Sequence, residues 1–169
     1  DTPPGYRSIR YIAEVWISKP IPCRKAGDYA FSECTELVSV TIENGETEIG
    51  DYAFKDCSSL TTITIPEESK LTSIGDYAFE NCSNLTSISI PEGVTSIGRS
   101  AFNGCCDLVT IVLPKSVKYI YEEAFANCGR GLYMYCYAEV SPQETSVNAF
   151  GNSSLDYATL LVPANALEN

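Results

Sequence analysis

The stretch Ile74-Gly75-Asp76-Tyr77-Ala78-Phe79-Glu80-Asn81-Cys82-Ser83-Asn84-Leu85-Thr86-Ser87-Ile88-Ser89-Ile90-Pro91 decides the fold, because the chain copies it. Moved upstream it falls on Ile49 to Pro66, where Ile-Gly-Asp-Tyr-Ala-Phe, Cys57, Leu60, Ile63 and Ile65 recur. Moved downstream it falls on Ile97 to Pro114, with Ala101, Phe102, Cys105, Leu108, Ile111 and Leu113. Looser copies start at Ala26 and Ile120. The phenylalanines stand at 31, 54, 79, 102, 125 and 150, in steps of 23, 25, 23, 23 and 25. A fixed period of this size denotes stacked repeats, none of which can bury its apolar side alone.

Each position in the unit has a physical job. The Ile-x-Ile pair alternates as a strand with one buried face does. The leucine lies three residues before it, at the corner where the chain turns into the strand. Proline closes the strand because it has no N–H for the next ladder. Glycine after the leading isoleucine is expected to supply a tight bend. Asp28, Asp51 and Asp76 are expected to cap a short helical turn through Tyr-Ala-Phe. Alanine permits close approach and phenylalanine fills the interior.

Around the regular repeats, residues 1–11 read as a lead-in or linker and 12–169 as one repeat domain. Ile12 to Ile17 fits the strand half of a unit and is the expected first strand. Residues 12–25 thus form a partial N-terminal repeat, with Ser18 to Arg24 as a loop, like Pro66 to Leu71. Residues 26–128 hold the regular repeats. In 129–169 the pattern loosens into capping repeats, with Met134, Cys136, Leu160 and Val162 at inward strand positions.

Composition narrows the function. A net charge of −11 repels nucleic acid and anionic membrane surfaces. The sequence has no apolar run long enough to span a bilayer, so no membrane insertion is expected. Without histidine, neither a Ser-His-Asp nor a Cys-His arrangement can be built. Five of the eight cysteines (Cys34, Cys57, Cys82, Cys105 and Cys128) occupy one repeat position. Stacked in parallel at about 5 Å, they read as buried, reduced thiols rather than disulfides, and no Cys-x-x-Cys pair suggests zinc. Cys23, Cys106 and Cys136 lie off that column. Neither a catalytic residue nor a cofactor or metal site is expected.

The strings Leu-x-x-Ile-x-Ile-Pro and Ile-Gly-x-x-Ala-Phe-x-x-Cys resemble the BspA-like, or Treponema pallidum-type, leucine-rich repeats across Ile12 to Pro163. The ending, Cys136-Tyr-Ala138 with Asn148-Ala-Phe150 and Leu161-Val-Pro-Ala164, resembles the closing repeats of such proteins in gut and oral anaerobes. The sequence departs from the pattern at Glu43, where proline is expected, and at Ala26, where isoleucine is. The resemblance implies an α/β, right-handed, horseshoe-like leucine-rich-repeat solenoid of about six coils. Each coil would have one parallel strand and a short helical or irregular convex segment. It also implies an extracellular or surface-displayed protein that adheres to host matrix proteins or other cells, with no catalytic residues.

Counting outward strand positions gives the candidate contact residues: Trp16, Thr41, Thr62, Thr64, Ser87, Ser89, Thr110, Val112, Tyr133, Tyr135 and Tyr137. Small hydroxyls fill the middle and aromatics the ends, and tyrosine and tryptophan are favoured interface anchors. The expected partner is a protein; small molecules are not expected. Two alternatives are a calcium-dependent adhesive using the Asp28–Asp51–Asp76 column and a structural repeat spacer. A carbohydrate-active enzyme is the weakest option, since nothing gathers the acids into a pocket.

Overall fold

The computed structural model describes residues 21–23, 26–42, 45–129, 133–137, 148–153 and 159–161. It is a solenoid of parallel strands. The larger sheet runs in the order β1 (Ile21–Cys23), β2 (Ser39–Ile42), β4 (Thr62–Thr64), β6 (Ser87–Ser89), β8 (Thr110–Leu113), β10 (Tyr133–Cys136) and β11 (Thr159–Leu161). A smaller sheet stacks β3 (Glu48–Ile49), β5 (Ser73–Ile74), β7 (Ser96–Ile97) and β9 (Tyr119–Ile120). Six coils are numbered here by their phenylalanines, from Phe31 in coil 1 to Phe150 in coil 6.

The expected core is present. Val40, Ile42, Ile63, Ile88, Ile90, Ile111, Leu113 and Met134 are buried on neighbouring parallel strands, and Ile65 is partly buried. The phenylalanine rings stack along the axis with centroids 5.2 Å apart from Phe31 through Phe102, then 5.3 and 5.5 Å to Phe125 and Phe150. Cys57, Cys82, Cys105 and Cys128 are buried, and Cys34 is half-buried at the end of the column.

The turn through Tyr-Ala-Phe corrects the helical expectation: no helix occurs among the described residues. Two residues per turn, four apart, adopt left-handed backbone: Tyr29 and Glu33, Tyr52 and Asp56, Tyr77 and Asn81, Glu123 and Asn127. Such a conformation costs about 1–2 kcal/mol per non-glycine residue, so a strong tie must hold it. That tie is a ladder to the next coil. The N–H groups of Tyr77, Phe79 and Asn81 donate to the carbonyls of Arg99, Ala101 and Asn103 at 2.8 Å, and the same set recurs down the stack. Alternate N–H groups point to the next coil and leave no helical bonding pattern.

Two further expectations change with it. The aspartates do not cap their own turns; the Oδ1 atoms of Asp28, Asp51 and Asp76 accept the N–H of Asp51, Asp76 and Arg99 at 3.0, 2.8 and 2.7 Å. The glycines serve close approach rather than a bend. A Cβ on Gly75 would stand 2.8 Å from the Asp51 nitrogen, and one on Gly98 would stand 2.5 Å from the Gly75 carbonyl carbon.

The strand beside β2 is β1, Ile21–Cys23, within the segment expected to be a loop; Ile12 to Ile17 lies outside the described residues. Ile21 and Cys23 register with Val40 and Ile42. Pro22 registers with Thr41 at the edge of the described sheet, where a missing N–H is tolerated. The second sheet is an addition to the one strand per coil expected. Its two-residue strands each place an isoleucine inward, Ile49, Ile74, Ile97 and Ile120.

Candidate functional site

Strand pleating turns one side chain in two away from the core, so the large sheet presents two outward rows. The first runs Ser39, Thr62, Ser87, Thr110 and Tyr133. The second contains Thr41 with Thr64, then Ser89 with Val112 and Tyr135. Rows are spaced about 4.8 Å from strand to strand and about 6.6 Å along each strand. Thr62, Thr64, Ser87, Ser89, Tyr133 and Tyr137 are exposed, while Thr41, Thr110, Val112 and Tyr135 are half-buried. The sequence-derived residues are therefore brought together on one surface, except Trp16, which lies outside the described residues.

Polar groups on this surface are unspent. The hydroxyls of Thr41, Thr64, Ser87, Ser89, Thr110, Tyr133, Tyr135 and Tyr137 bond to no described residue, and Thr62 meets only Thr61, at 3.4 Å. Thr72 and Thr95, away from this face, instead donate to the carbonyls of Thr47 and Thr72 at 2.9 and 3.2 Å. No ring contact joins the three strand-face tyrosines to one another or to any described aromatic. Among the described residues, none of the outward residues of the large sheet is charged.

The sequence missed Val109. It is 44% exposed beside Tyr133, itself 46% exposed, which donates its N–H to the Val109 carbonyl at 2.7 Å. Counting back by two from Ile111 would place Val109 inside. The corner at buried Leu108 rotates it out instead, as the one at Leu37 does Val38. The available signal was the leucine, which marks where strand parity stops applying.

The turn side differs. The rings of Tyr29, Tyr52 and Tyr77 stack face to face at 4.6 and 4.8 Å. Lys55 lies 5.7 and 5.8 Å from the Tyr52 and Tyr77 centroids and pairs with Glu80 at 2.6 Å. The aspartate column is occupied by backbone amides, which accounts for its acids without an ion.

The thiol column is chemically quiet. The Sγ atoms of Cys57, Cys82, Cys105 and Cys128 donate to the carbonyls of Phe31, Phe54, Phe79 and Phe102 at 3.0–3.3 Å. Burial pushes the Cys57 and Cys128 thiols up to about 12 and raises those of Cys82 and Cys105 well above the usual range. At neutral pH they hold their protons and are not nucleophiles. Cys106 is exposed; Cys23 and Cys136 have no described side chain.

Parallel coils, a phenylalanine core and the buried leucine corners Leu37, Leu60, Leu85 and Leu108 define a leucine-rich-repeat solenoid. The BspA type leucine-rich-repeat region matches residues 12–130 in six copies, and the chain belongs to that family. Among solved structures it is similar to the Treponema pallidum leucine-rich-repeat protein TpLRR, with 33% identity and a TM-score of 0.60. That match covers 66% of this chain and 51% of the other. It is also similar to a leucine-rich cell surface protein of Faecalibacterium prausnitzii, with 30% identity and a TM-score of 0.51 over 82% of this chain and 42% of that one. The pneumococcal vaccine antigen PcpA shares the fold, at 18% identity and a TM-score of 0.67, over 83% and 34% of the two chains. The chain thus spans about half the length of TpLRR and less of the other two. No curated protein matches significantly.

Proposed function

We propose that the chain is a non-catalytic recognition module of a surface-displayed protein, and that it contacts a protein partner through the strand face. Leucine-rich repeats commonly serve protein interaction, and the F. prausnitzii relative is described as a cell surface protein. The observation that carries the proposal is the contrast in how the two sides use their polar groups and rings. On the turn side of coils 1 to 3 the Tyr29–Tyr52–Tyr77 rings and the aspartates are consumed between coils; on the strand face polar groups and rings are free. Tyrosine with small hydroxyl residues is also the chemistry of antibody paratopes, where rigid rings supply area and hydroxyls adapt. The contact centres on Tyr133, Tyr135 and Tyr137, with Val109 beside Tyr133 and Val112 beside Tyr135, and Thr110, Ser87, Ser89, Thr62, Thr64 and Thr41 continue the surface.

The test is binding of the immobilised chain to a panel of purified extracellular-matrix proteins. Replacing Tyr133 and Tyr137 by serine is expected to weaken the captured partner by about 1–2 kcal/mol per anchor, with the melting temperature nearly unchanged. Normal binding by a folded Tyr133→Ser/Tyr137→Ser chain would remove the strand-face assignment.

A further inference from the structure

The junctions between coils are not equivalent. In a solenoid, stability is the sum of coil terms and nearest-neighbour interface terms, so the weakest interface sets where the array opens. From coil 1 to coil 4 every turn-side corner is closed by an aspartate oxygen accepting the next coil's N–H, a charge-assisted hydrogen bond. Tyrosine stacking adds to this at the first two junctions.

Between coils 4 and 5 this clamp is gone. Arg99 occupies the aspartate position and offers no acceptor. Tyr121 stands where Gly50, Gly75 and Gly98 permit close approach, and its N–H donates to the Ile97 carbonyl at 3.0 Å, against 2.6–2.8 Å for the same bond at the three glycine corners. Glu123 replaces the stacked tyrosine and still takes the left-handed backbone, at φ 57°. Besides the backbone bonds Tyr121 N–H to Ile97 and Ser100 N–H to Glu122, what bridges the corner is an exposed ion pair, Arg99 Nη2 to Glu122 Oε2 at 3.2 Å, with the Ser100 hydroxyl donating to Glu123 Oε2 at 3.2 Å. Exposed ion pairs contribute little and are screened by salt. The interior is continuous there: Phe102 stacks on Phe125, and Cys128 reaches the Phe102 carbonyl. The weakness is therefore confined to the turn edge.

We infer that this edge is a salt-sensitive seam. Coils 1 to 4 form one cooperative unit, and coils 5 and 6 open from it first. Coils 5 and 6 meet at the Tyr133–Tyr137 end of the strand face, so ionic strength would regulate the proposed contact site; that consequence rests on the functional proposal, and the seam itself does not.

Native-state hydrogen exchange on the whole chain tests it without a partner. The amides of Ser100, Phe102 and Gly104 cross the seam to Glu122, Ala124 and Ala126, while those of Tyr77, Phe79 and Asn81 cross the clamped junction before it. After correction for intrinsic rates, the first set is expected to exchange about tenfold faster. The gap should widen in about 0.5 M sodium chloride, where the screening length falls to about 4 Å. The variant Arg99→Asp/Tyr121→Gly restores the acceptor and the close approach, and should bring the two sets together and abolish the salt effect. Equal protection of the two sets, or a gap that survives this repair, overturns the seam. Loss of partner binding on Tyr133→Ser bears on the strand-face proposal alone, so the two can fail separately.

Discussion

The strand face and the turn side of this molecule are built from similar residues used in opposite ways. Tyr52 on the turn side is stacked between Tyr29 and Tyr77; Tyr133 on the strand face touches no other described ring. Asp51 gives its carboxylate to the next coil, whereas Thr64 bonds to nothing described. In a stack of repeats, a polar side chain consumed between coils contributes to stability and is unavailable to a partner. One left free contributes little and is available. The difference teaches where a solenoid can change sequence freely, and so where it can acquire specificity.

The largest effect should come from the interior that both sides share. Phe79→Ala is expected to cost about 3–5 kcal/mol, as a large-to-small change that leaves a cavity between Phe54 and Phe102. With coupling only between neighbours in a short array, chemical denaturation should show the loss across all coils. A cost below about 1 kcal/mol would deny that these rings form the core. Next comes the paired test of the tyrosines. Tyr52→Ser removes two ring stacks and a cation–π contact and should cost about 1–2 kcal/mol; Tyr133→Ser should cost less than about 0.5 kcal/mol. Thermal melts of the two variants that move together would break the comparison. The smallest contrast is polar. Asp51→Ala strands the Asp76 N–H and should cost about 1 kcal/mol, while Thr64→Ala should stay within about 0.5 kcal/mol of the parent.

Much of this was legible in the sequence, for identifiable reasons. Phe79, Cys82, Leu85, Ile88 and Ile90 recur because every coil meets the same interior, and a period-two strand fixes its outward side chains by counting. The turn was not legible. Tyrosine is a poor left-handed residue, so Tyr29, Tyr52 and Tyr77 gave no local sign of the conformation that the next coil's carbonyls impose on them. For the same reason glycine suggested a bend when its use is contact between coils. The second sheet escaped notice because two residues carry too little alternation to register. Val109 was hidden by a corner that resets parity. At the candidate site the face could be read, but the freedom of its hydroxyls could not, because that depends on which neighbours they do not meet.

The turn-side ladder has a consequence for how such a chain can change length. Each turn offers the next coil the same row of N–H groups that the previous turn offered it, so the backbone part of a coil's docking surface is independent of its rank in the stack. A tandem duplication or deletion of one unit, 23 or 25 residues in phase with the phenylalanines, reuses every one of these bonds and leaves the remaining coils in register. Out of phase, the same genetic event would bring a tyrosine corner against a strand. Reach, measured in coils, is therefore free to drift under recombination while each coil's conformation stays under strict selection.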